Sequence, residues 1–157
     1  MSVTEYLGRK ADLAAFQDQP RGSHIALLPA LSAEGEGGRI ITGIRKLAQW
    51  FVLELLTERG SVLYEPTAGT RFMSQLRRGE LRTQLDVEQA FASALVDIRR
   101  NFRNRETADT PADERLTGAE LLSVVHQGDR VSLQIRIDSA AGESREVIFP
   151  IRIVPQG

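Results

Sequence analysis

Apolar residues fall at Ile40, Ile44, Leu47, Ala48, Phe51 and Leu55, and steps of three and four trace one face of an α-helix. Thr42 or Gly43 fits the N-cap region, and Gly60 fits a C-terminal stop of the left-handed glycine kind. Trp50, Val52 and Leu53 lie off the stripe, which predicts a central helix covered on more than one side. A second stripe runs through Val87, Ala90, Phe91, Ala94, Leu95, Ile98 and Phe102. Asp86 and Gln89 have capping-box spacing at its start, and Arg99, Arg100, Arg103 and Arg105 gather in its last turns, where the helix dipole favours cations.

After a polar link the period changes from 3.6 to 2. In 130–138, Val131, Leu133, Ile135 and Ile137 alternate with polar residues, and in 144–154 Val147, Phe149, Ile151 and Ile153 share a face; both are patterns of half-buried strands. A preceding apolar run ends at Gln127-Gly128, which predicts a first strand and a turn. Pro150 cannot donate to a ladder, so the last strand lies at an edge or has one side unpaired. The expected fold is α+β: two main amphipathic helices packed on a three-stranded antiparallel β-meander, with an extended N-terminal arm. Residues 1–38 form the arm and 39–157 the domain. The arm carries Pro20, Pro29 and several glycines, yet also the apolar run from His24 to Leu31, so it covers this chain's core or docks on a neighbouring subunit.

At 157 residues, with 41% hydrophobic and 26% charged residues, the chain has the length and balance of one globular domain. A formal net charge of −1 gives no global electrostatic case for nucleic acid or an acidic membrane. The absence of cysteine removes disulfides and thiol chemistry, and no stretch reaches membrane-span length. His24 and His126 lack companions at metal-ligand spacing. Phosphate-loop, nucleophile-elbow and zinc-protease motifs are missing, so no cofactor or metal is expected.

The order of an apolar helix, the stretch "LLTERGSVLYEPTAGTRF", a second amphipathic helix and alternating strands resembles the GPW-type baseplate wedge family of contractile phage tails, related to a type VI secretion baseplate subunit. Leu55, Leu56, Thr57, Gly60, Ser61, Pro66, Gly69 and Thr70 carry the textual match, and the resemblance covers about residues 39–154. It implies a non-enzymatic virion component, assembled in the bacterial cytoplasm and located in the tail baseplate. Its expected partners are the core-bundle helices of other wedge proteins, the tail sheath protein and hub or spike-adaptor proteins, with no nucleic acid and no membrane.

The resemblance also implies sites. The family docks on the wedge core through an acidic-Pro-Arg signature, for which "PADERL" supplies Asp113 and Arg115, with Glu114 where proline is usual. A guanidinium forks two hydrogen bonds, which is why such a site uses arginine. The plainer alternative is that Asp113 and Arg115 satisfy backbone groups of their own loop. Glu65, in the loop "YEPTAGTRF", is a further partner-facing candidate beside a role in closing the core. Arg145, Val147, Phe149 and Ile151 mark the strand surface expected to seed sheath assembly by β-augmentation.

Two rivals remain. Glu88 and Asp97 have the spacing of some phage lysozymes. On one helix, however, nine residues place them on opposite faces roughly 13 Å apart along the axis, too far for a glycosidase pair. A nucleic-acid module built on Arg99, Arg100, Arg103 and Arg105 would have only Phe102 as a nearby aromatic, and Phe102 belongs to the core stripe.

Overall fold

The computed structural model describes residues 8–21, 24–29 and 39–153. Parts of the arm, 1–7, 22–23 and 30–38, and the terminal 154–157 lie outside them. The architecture is α+β. Helices α1 (Gly43–Leu56), α2 (Phe72–Arg77) and α3 (Gln84–Arg105) pack against a sheet that contains the antiparallel meander β5 (Leu116–Gln127), β6 (Arg130–Ser139) and β7 (Ser144–Arg152).

The arm contributes more than extended chain. Strands β2 (Phe16–Arg21) and β3 (His24–Pro29) form an antiparallel hairpin, and β3 pairs in parallel with β7 through Ile25↔Val147 and Ala26↔Ile148. The sheet thus has five strands in the order β2-β3-β7-β6-β5. A second, small pairing joins β1 (Asp12–Leu13) to β4 (Ile40–Ile41). Pro20 and Pro29 read as breakers in the sequence, whereas both sit within strands of the hairpin. Pro150 lies past the β3 pairing, where its missing N–H costs no ladder bond on that side.

The core gathers the stripes of both long helices and the inward face of the sheet. Phe51, Val52, Leu55, Phe72, Val87, Ile98, Val131, Leu133, Ile135, Ile137 and Val147 are fully enclosed, and Phe91 and Phe149 are buried beside them. Leu95 is only partly buried. The Phe51 and Phe91 rings meet at 6.2 Å and 45°, a tilted aromatic contact between α1 and α3. Each large side chain so enclosed contributes about 1.5–3 kcal/mol relative to exposure.

The helix ends depart from the sequence expectations. Helix α1 stops at Leu56, with Thr57 as the extended C-cap, and Gly60 (φ +81°) serves the following turn. The α3 cap is Thr83, three residues before Asp86: the Thr83 hydroxyl accepts from the Asp86 amide, and the Asp86 carboxylate accepts from the Thr83 amide. This is a capping box with Asp in the place usually taken by Glu or Gln, which is why the sequence spacing placed it one turn late.

Candidate functional site

Helix α1 begins without a side-chain cap of its own, since the Thr42 hydroxyl makes no capping bond. Its first amide is instead met by the 3-10 turn Ala112–Glu114. The Gly43 amide donates to Glu114 Oε1 at 3.0 Å, and an added Cβ on Gly43 would lie 2.9 Å from Asp113 Oδ2. Negative charge at a helix N-terminus is favourable. Here two carboxylates arrive from the far side of the sequence, and glycine leaves them room.

The same carboxylates fasten the arm. Arg9 Nη1 donates to Asp113 Oδ2 at 2.7 Å, and this bond, with the nearby charges, holds the Arg9 guanidinium more basic than usual. Lys46 Nζ donates to Glu114 Oε2 at 2.8 Å and to the Lys10 carbonyl at 2.6 Å. Gln49 accepts from the Ala15 amide and donates to the Leu13 carbonyl, and Trp50 Nε1 donates to Asp12 Oδ2 at 2.6 Å. Lys46, Gln49 and Trp50 of α1 are therefore fasteners for residues 10–15, which cover part of the second side of this helix and leave Leu53 exposed. Lys46 and Gln49 are buried with hydrogen-bond partners for their polar atoms.

Arg115 points elsewhere. Its Nε donates to the Thr110 carbonyl at 2.9 Å, and one Nη donates to the carbonyls of Thr107 and Ala108. The guanidinium thus holds loop 107–110 in shape. Beside this loop lies a cavity of about 380 Å³ between α1, the end of α3 and residues 106–111.

A second network centres on buried Glu54. It accepts from the Gly69 amide at 2.8 Å, from Asn101 Nδ2 at 2.7 Å and from Arg105 at 3.0 Å. Burial works against the Arg105 charge, but hydrogen bonds to Glu54 and Glu65 outweigh it and raise its basicity. Gly69 has φ +82°, and a Cβ there would lie 2.5 Å from the Thr57 carbonyl oxygen. Thr70 donates to the Leu55 carbonyl and accepts from the Phe72 amide, opening α2. The loop after α1 is thereby fixed at its base, while its tip projects Leu63 at 76% and Tyr64 at 92% exposure. Tyr64 has φ +67°, an outlier for a bulky residue.

The structure brings Asp113 and Glu114 together with Arg9 and Lys46, and sets Arg115 on the adjoining loop. Glu65 lies apart, paired with Arg105 at 3.0 Å. Val147, Phe149 and Ile151 point into the core, and Arg145, opposite Ile137 on β6, is partly buried. The participation of Lys46, Gln49 and Glu54 was not legible in the pattern. The signal available was three long polar residues set among the buried positions of a largely apolar helix, beside the half-buried Arg45. Of the rival sets, Glu88 accepts from Gln84 and Asp97 pairs with Arg59 and Arg100. Arg99 donates to the Thr117 carbonyl. Among the described residues no cluster of His, Asp and Glu has metal-binding geometry, and no helix is long and apolar enough to cross a membrane. Comparison with family models, curated proteins and solved structures finds no match to this chain.

Proposed function

We propose that this chain is a non-enzymatic structural subunit of a contractile-tail baseplate wedge, an adaptor between the wedge core bundle and the first sheath ring. The observation that carries the reading is the succession α1, a loop pinned through Gly69 and Thr70, α2, α3 and the meander β5-β6-β7. That is the succession the sequence resemblance implies, and Gly60, Ser61, Gly69 and Thr70 of the textual match take part in the hydrogen bonds that hold the loop.

In this reading the strand surface offered to the sheath is β5. Strand β7 is flanked by β6 and, at Val147 and Ile148, by β3, whereas β5 stands at the end of the sheet. Register shifts interrupt β5 near Gly118 and Ser123. Its regular stretch 123–127, with Val125 exposed, supplies unpaired backbone groups for an added strand. The wedge-facing side is the 3-10 turn with the loop that Arg115 shapes.

Co-expression of the tagged chain with the products of its neighbouring genes, among which the reading expects sheath, tube and wedge proteins, tests it. The expected result is co-purification with wedge proteins and nucleation of sheath on the complex. Muramidase activity of the purified protein, or steeply salt-dependent binding to DNA or RNA, would replace the adaptor with one of the two rivals.

A further inference from the structure

The cavity beside the arm has walls of Leu47 and Trp50 from α1, Phe102 from α3 and Pro111. Its size and apolar walls are those of a binding pocket rather than a packing defect. Its rim is unevenly charged. Lys46 and Arg105 reach it, but each is matched by carboxylates, Lys46 by Glu114 and Arg105 by Glu54 and Glu65. The rim carboxylates Glu106 and Asp109 make no hydrogen bond or ion pair among the described residues, and Lys10 is the single rim ammonium in the same condition. The unmatched charge is therefore negative.

We propose that this cavity receives an apolar side chain of aromatic size, flanked by a cation, presented by a segment of a protein partner. The apolar body fits the walls, and the flanking charge stays at the rim with Glu106 and Asp109, where it need not be desolvated. The Thr110 hydroxyl accepts from the Thr107 amide and so serves its own loop, which leaves the apolar walls as the main surface for an occupant. The rim is held in advance by the three carbonyl contacts of Arg115, which lowers the ordering cost of binding. The proposal stands independently of the wedge reading.

Trp50 is the only tryptophan of the chain and is 38% exposed, so its fluorescence reports on the cavity. The test titrates the full chain with the blocked tripeptides acetyl-Lys-Phe-Lys-amide, acetyl-Glu-Phe-Glu-amide and acetyl-Lys-Gly-Lys-amide at low salt. The phenylalanine peptide with lysines should perturb Trp50 and bind about fivefold or more tighter than its glutamate counterpart, the effect of two exposed charge pairs. The glycine peptide should leave Trp50 unchanged. The double variant Glu106→Gln, Asp109→Asn should keep its circular dichroism and thermal midpoint and lose the preference for lysine. Equal affinity for the two phenylalanine peptides, a preference that survives the double variant, or no response of Trp50 at millimolar peptide would overturn the proposal. Binding that emerges only after deletion of residues 1–7 would also overturn it, by assigning the cavity to this chain's own N-terminal segment.

Discussion

Glu114 accepts the Gly43 amide at 3.0 Å across a separation of 71 positions, so the first turn of α1 is capped by a residue that follows α3. The cap and the arm fastener are the same carboxylate, because its other oxygen takes Lys46 Nζ at 2.8 Å. Glu114→Ala should cost about 3 kcal/mol, combining a lost cap with a buried ammonium left without its counter-charge. Urea unfolding checks this. Glu114→Gln, which keeps an acceptor for Gly43, should cost less than alanine.

Gly69→Ala forces a Cβ to within 2.5 Å of the Thr57 carbonyl oxygen at φ +82°. Backbone must move to relieve it, and a loss of at least about 2 kcal/mol in chemical denaturation is expected. Gly79→Ala has positive φ but nothing within 4 Å, so it should be the milder of the two by more than half.

Tyr64 carries the opposite kind of strain, a left-handed backbone with no packing to justify it. Tyr64→Asn should stabilise the isolated chain by about 0.5–1 kcal/mol, since asparagine tolerates this conformation better. If the tip serves a partner, the same variant should assemble less well while melting higher, a pairing of outcomes that a purely structural tip would not produce.

The Asp86 carboxyl is held below its ordinary value of 3.8, first by the Thr83 amide, then by the Thr83 hydroxyl and the Arg82 amide. A depressed carboxylate contributes stability that is present above its unfolded pKa and lost as pH falls through the folded one. Asp86→Asn should therefore lower the thermal midpoint at neutral pH, and the gap should close as pH is taken below 3.8.

Phe91→Ala removes half of the ring contact between α1 and α3 and should cost about 3–5 kcal/mol by urea unfolding. Leu95→Ala, only partly buried, should cost clearly less.

How far the fold was legible follows from what each element asks of its residues. The stripes of α1 and α3 and the alternation of β6 and β7 are periodic over enough residues to declare both type and buried face. The hairpin β2–β3 declares neither: Ile25, Ala26, Leu27 and Leu28 run without alternation, and Pro20 and Pro29 fall within the strands themselves. Asp113, Glu114 and Arg115 could be singled out as a polar cluster, but its use could not. Whether Arg115 grips a neighbour or its own loop depends on where the carbonyls of Thr107, Ala108 and Thr110 come to rest, and that is set by tertiary packing. The cavity beside them was invisible for the same reason, since Leu47, Phe102 and Pro111 look like ordinary core and turn residues until three separate segments meet.

The parallel ladder between β3 and β7 has a kinetic meaning. Ile25 and Ala26 wait for Val147 and Ile148, so on a ribosome the early hairpin emerges long before the strand it needs. Closing so long a loop is slow, and during that interval an apolar strand edge is available to any neighbouring chain. Emergence of β7, rather than helix formation, should then mark the moment when this sheet is completed.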